Sequence, residues 1–125
     1  MSTELQELSA KLRSIQSENG LLAAAAVGLD GLLIEGASAE GIDLDAIAAV
    51  SAPGLLMMSD LASELGEGLS DVTTMEYANH TVVLMPLNDD VLFVAIAEAR
   101  SMNLGQMRII VRRSMEDLRR AVGAG

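Results

Sequence analysis

The side chains in this 125-residue chain best suited to acid–base or metal chemistry are a single histidine, His80, and scattered carboxylates; there is no cysteine. A Ser-His-Asp arrangement would use His80 as its base, yet the histidine falls at a turn or strand start. No Gly-x-Ser-x-Gly string supplies a nucleophile. It therefore reads as an exposed turn residue. Asp60 and Glu64, one helical turn apart, have the spacing of an acid and base pair, but nothing nearby suggests a cleft that would separate their roles. They read as a solvated helix face or an acidic binding surface.

Metal and phosphate sites fare no better. Without cysteine and with one histidine, only carboxylates remain as ligands. Asp43-x-Asp45 opens like a calcium loop but lacks the glycine and closing glutamate that such a loop needs, so it reads as a helix cap followed by a solvated acid. Gly66-Glu67-Gly68 lacks a third glycine, places an acid where phosphate would sit, and leads into a strand. The expectation is no catalytic residue, no metal and no cofactor.

Charge narrows the partners. The chain holds 8 Lys and Arg against 18 Asp and Glu, a formal net charge of −10, with 2% aromatic residues. Nucleic acid is disfavoured, because phosphates are repelled and bases find almost nothing to stack on. Every basic residue lies near an end: Lys11 and Arg13, then Arg100, Arg108, Arg112, Arg113, Arg119 and Arg120. Ser14 to Ala99 contains acids and no Lys or Arg, so terminal segments that shared a face would give a two-sided surface. The uncharged stretch Ala46 to Ser59 is too short to span a bilayer and no targeting segment is apparent. A cytoplasmic chain without membrane insertion is expected.

These residues must be positioned by eight elements. Leu5, Leu8, Leu12 and Ile15 recur at helical spacing after a Thr3-to-Gln6 capping box, and Gly20 ends the helix. Leu21 to Leu29 and Leu32 to Gly36 read as strands joined by a two-residue Asp30-Gly31 turn with positive φ at both positions. The run Ala23-Ala24-Ala25-Ala26 suggests a helix packed closely over the first strand. Asp43 opens a helix to about Leu65, closed by Gly66, whose buried stripe would be Leu44, Ile47, Val50, Met58, Leu61, Ala62 and Leu65. Pro53-Gly54 should kink or split it.

Strands follow at Val72 to Tyr77, His80 to Leu87 and Val91 to Ala97, with turns at Ala78-Asn79 and Asn88-Asp89. Asn103, with Gln106, caps a last helix whose stripe is Leu104, Met107, Val111, Met115, Leu118 and Val122. Met75, Met85, Met107 and Met115 read as core gap-fillers. On the central helix, Leu55-Leu56 and Met57-Met58 cover more circumference than one buried stripe requires, and Leu56 sits among acids. A partner is expected to cover it. The chain reads as a single α+β domain over residues 1–125 around an antiparallel sheet, in the order α-β-β-α-β-β-β-α.

That order, with Val27-Gly28-Leu29-Asp30-Gly31-Leu32-Leu33-Ile34, the Ala/Leu/Met-rich central helix, Val72-Thr73-Thr74-Met75-Glu76 and Asn103-Leu104-Gly105-Gln106-Met107-Arg108, resembles the roadblock (dynein light-chain) family, in its MglB-like bacterial and archaeal branch. The resemblance spans essentially the whole chain; Pro53-Gly54 departs from it. It implies a roadblock or profilin-like fold: a five-stranded antiparallel sheet, the central helix on one face and the terminal helices on the other. It also implies a homodimer in which third strands pair edge to edge and central helices lie side by side. The implied function is that of a non-catalytic regulator of a Ras-like small GTPase, as binding partner or GTPase-activating protein. The alternative is a scaffold subunit binding a peptide or another roadblock protein. The expected dimer or partner surface comprises Leu55, Leu56, Met57, Asp60, Ser63, Glu64, Val72 and Thr74.

Overall fold

A computed structural model describes residues 3–123. Along the chain run α1 (Thr3–Glu18), β1 (Ala23–Gly28), β2 (Leu33–Ser38), α2 (Leu44–Glu64), β3 (Thr73–Glu76), β4 (His80–Pro86), β5 (Val91–Glu98) and α3 (Leu104–Ala121). The strands form one antiparallel sheet in the order β2-β1-β5-β4-β3. Consecutive hairpins account for β1-β2 and β3-β4-β5, while the pairing of β1 with β5 joins the two halves.

Strand alternation sends side chains to two cores. On the back, Ala24 and Ala26 of β1 and Phe93, Ala95 and Ala97 of β5 meet Leu8 and Leu12 of α1 and Met107, Val111 and Leu118 of α3. On the front, Ala23, Ala25, Val27, Leu92, Val94 and Ile96 meet Ala48 and Leu55 of α2. The expected layering is thus realised, with the central helix on one face and both terminal helices on the other. The four alanines make both faces of β1 thin enough for helices to approach. At Gly36 the margin is smaller still, since an added Cβ would lie 2.7 Å from the Leu44 side chain and 3.2 Å from the Ala25 Cβ.

Local signals hold with adjustments. Helix α1 is described from Thr3 onward, at the limit of the described residues, and Gly20 ends the turn that follows it at φ 65°. The first hairpin does not use a two-residue turn. The Gly31 N–H donates to the Gly28 carbonyl at 2.9 Å and the Gly28 N–H to the Leu32 carbonyl at 2.8 Å. Within this loop only Gly31, at φ 88°, is left-handed; among the described residues no non-glycine has positive φ. This is a three-residue loop closed by a left-handed glycine. Asp30 instead contributes its side chain, whose Oδ1 accepts from the Leu32 N–H at 3.0 Å.

Helix α2 remains one helix through Pro53. Pro53 and Ala49, whose carbonyl loses its helical donor to the proline, are both exposed, so water can satisfy that oxygen. Asp43 caps the helix by accepting from the Ala46 N–H at 3.1 Å. The Asn103–Gln106 capping box of α3 is complete, with both reciprocal bonds present at 2.8 and 3.0 Å. Met85 and Met107 fill the back core as expected, whereas Met75 and Met115 are half-buried.

Candidate functional site

Helix α2 departs most from its sequence reading. Its fully buried residues are Ala48, Ala52 and Leu55; of the expected stripe, Leu44 and Ile47 do pack against the front core, whereas Val50, Met58, Leu61 and Leu65 do not. Val50 is 70% exposed, Leu61 55% and Leu65 69%, and Met58 is also exposed. The reason is steric. An alanine-rich helix ridge set against alanine strand faces allows a close approach, and Val50, Met58, Leu61 and Leu65 are left outside.

The outcome is a helix with a second apolar face. At 100° per residue, Met57, Val50, Leu61, Leu65 and Met58 fall in one arc of roughly 100°. Met57, 71% exposed, is its most open member. This arc points toward the free edge of the sheet. There Met58, Leu61 and Leu65 combine with Leu69 and Thr73 to line an apolar groove of about 300 Å³.

The other flank of α2 is different. Leu56, 42% exposed, lies there with Asp45, Asp60 and Ser63, and Ala49 on the same flank approaches the hairpin turn at Gly31. Glu64 sits between the flanks at the outer ridge. The residues expected to form one surface are therefore divided. Met57 belongs to the apolar arc; Leu56, Asp60 and Ser63 belong to the acidic flank. Leu55, 1% exposed, belongs to neither and is corrected to a front-core residue.

At the sheet edge, β3 pairs with β4 on one side and with no strand on the other. It is four residues long and contains neither lysine nor proline, the residues that commonly blunt an edge. Thr74 lies opposite Val83 and shares its back face, and Val72 packs against the same back core. Both are thus on the far side of the sheet from α2. The β3 residues facing the α2 side are Thr73, in the groove, and Met75, on the front core. Sequence reasoning missed Val50, Met58, Leu61, Leu65 and Leu69. The available signal was Ala48-x-x-x-Ala52, at helical spacing opposite a strand of alanines.

No reactive constellation competes with this surface. His80 is exposed and lies opposite Glu98 in the sheet register. Among the described residues no group of three or more His, Asp or Glu side chains is placed to hold a metal ion. By length and composition α2 could cross a membrane. In the fold, however, its Ala48–Ala52–Leu55 ridge closes the front of the sheet.

Comparison with known proteins gives the family. The Roadblock/LC7 domain model matches residues 8–97. No curated protein matches the chain. Among solved structures, MglB of Myxococcus xanthus is 21% identical with a TM-score of 0.89, covering 99% of this chain and 93% of its own. The gliding protein MglB of Thermus thermophilus is 18% identical with a TM-score of 0.88, covering 100% of this chain and 95% of its own. Profilin IA of Acanthamoeba castellanii is 15% identical with a TM-score of 0.59, covering 88% and 94%, which marks the wider fold class. With the family model spanning most of its length and an eight-element order to match, the chain belongs to the Roadblock/LC7 family.

Proposed function

We propose that the chain acts as a single roadblock domain, a cytoplasmic homodimer that regulates a Ras-like small GTPase without catalysing a reaction of its own. The observation that carries this reading is the apolar arc of α2 beside an unpaired β3 edge. Two copies joined through β3 would continue the sheet and bring their α2 helices side by side, covering Met57, Leu61 and Leu65.

Surface area supports a missing partner. The chain exposes 7210 Å², whereas a folded monomer of 13.1 kDa is expected to expose about 6,400 Å².

In the dimer, the acidic flanks with Leu56, Asp60, Ser63 and Glu64 remain open for the GTPase. Its contact would be a basic patch around an apolar spot. No Lys or Arg occurs between Ser14 and Ala99, so α2 cannot supply an arginine finger. Any acceleration of hydrolysis would come from ordering the GTPase's own catalytic groups.

Light scattering at micromolar concentration should give twice the chain mass. Pull-down with small GTPases from the source organism should recover one in a nucleotide-dependent way. A monomer would refute the dimer, and no recovered GTPase would refute the role.

A further inference from the structure

With no cysteine in the chain, methionine supplies all of its sulfur. The fold shields these sulfurs very unequally. Met85 and Met107 are fully buried in the back core, while Met75, Met102 and Met115 are half-buried. The Met75 sulfur also accepts a hydrogen bond from the Tyr77 hydroxyl at 3.6 Å, which engages one of its lone pairs. Among the described residues the exposed methionines are Met57 at 71% and Met58 at 48%, neighbours on α2. Both lie in the apolar arc, and Met58 lines the groove beside β3.

We propose that Met57 and Met58 form an oxidation-sensitive switch on self-association: peroxide converts their thioethers to sulfoxides, and the oxidised chain is held as a monomer. This rests on the reading of the α2 arc as the dimer surface. In the step, a sulfur lone pair attacks one oxygen of hydrogen peroxide, so that an S–O bond forms as the O–O bond breaks. The departing hydroxide takes the proton of the transferred hydroxyl. Each thioether is oxidised by two electrons to a sulfoxide, and one peroxide is reduced to water.

The effect on association follows from what surrounds the two sulfurs. Val50, Leu61 and Leu65, which share their arc, carry no donor for a sulfoxide oxygen, and the nearest hydroxyls are engaged. Ser51 donates to the Ile47 carbonyl at 2.7 Å, and Thr73 is paired with Ser70 at 2.6 Å. A dimer joined through this arc would bury a strong acceptor without a donor, whereas in the free protomer water hydrates it. Linkage runs both ways: a dimer that covers the sulfurs slows their oxidation, so the oxidant acts on the free protomer. The fold itself is spared, because both sulfurs stand outside the Ala48–Ala52–Leu55 ridge.

The test treats the full chain with hydrogen peroxide at protein concentrations below and above the dimer dissociation constant, and locates sulfoxides by peptide mass spectrometry. Met57 and Met58 should gain oxygen first and Met85 and Met107 last, with the exposed pair reacting more slowly at the higher concentration. Light scattering should report twice the chain mass before treatment and the chain mass after it, with helical circular dichroism unchanged. The dissociation constant should rise at least about tenfold. Sulfoxide reductases, one for each sulfur epimer, should restore it. The double variant Met57→Leu, Met58→Leu should remain a dimer through the same treatment, and Met57→Gln, Met58→Gln should weaken the dimer without peroxide. A dimer that persists with both methionines oxidised, equally early oxidation of Met85 and Met107, or dissociation of the leucine variant under peroxide would each overturn the switch and leave the dimer reading standing. A monomer before treatment would overturn both.

Discussion

Helices α2 and α3 are both long, apolar-rich and packed on the same sheet from opposite sides, yet one obeys its sequence pattern and the other does not. In α3 all but Ile109 of the large exposed positions are polar, arginines and acids fill most of the outer side, and Met107, Val111 and Leu118 are buried as the stripe requires. In α2 apolar residues run most of the way round the helix. The sheet then takes the ridge Ala48–Ala52–Leu55 with Leu44 and Ile47 beside it, and Val50, Met57, Met58, Leu61 and Leu65 stay in solvent. A periodic stripe identifies a core face only when polar residues exclude the alternatives. Where they do not, fit decides, and alanine strands favour the smallest ridge.

This contrast can be broken at either helix. The largest effects should come from buried leucines: Leu118→Ala in α3 and Leu55→Ala in α2 should each lower unfolding free energy by about 3 kcal/mol in chemical denaturation. If Leu55→Ala were nearly silent while Leu61→Ala cost that much, the α2 ridge would be misassigned. Next, Ala52→Leu inserts volume where the helix lies closest to the sheet and should cost about 2 kcal/mol. The same measurement tests it.

Smaller again is the cap of α3. Asn103→Ala removes the side-chain oxygen that accepts from the Gln106 N–H, leaving the backbone Asn103 N–H to Gln106 Oε1 bond, and should cost about 1 kcal/mol, seen as a lower thermal midpoint. Least affected in fold should be Leu61→Glu, an exposed change worth within about 0.5 kcal/mol for the protomer. Its helical circular dichroism should persist while light scattering reports a monomer. A dimer that survives Leu61→Glu would remove the apolar arc from the interface.

Much of the fold was legible because several devices are local. Gly20, the Asp43 cap and the Asn103–Gln106 box set helix ends through contacts within a few residues, and the succession of strands along the chain followed from turn residues and run length. The Asp30-Gly31 turn was located correctly but typed wrongly. Asp30 keeps negative φ, and the third loop residue, Leu29, could not be distinguished by composition from the strand preceding it.

The candidate site was less legible. Asp60, Ser63, Glu64, Leu56 and Met57 are exposed as expected, but they divide between two flanks. Val72 and Thr74 share the edge while facing the other side of the sheet. Residue types can say that a helix has more apolar surface than one core needs; they do not say which part is left over.

By itself the sequence determined the element order, the helix caps, the absence of bases from residues 14–99 and the excess of apolar surface on α2. Each of these follows from residue identity or from spacing within one element. Only the tertiary structure decided which face of α2 meets the sheet, that Leu55 is core, and that Met58, Leu61 and Leu65 open toward the free β3 edge. It alone set Arg112 and Arg119 beside a recess at Leu87. Such placements depend on how closely two surfaces can approach, a property of the pair that neither segment encodes alone.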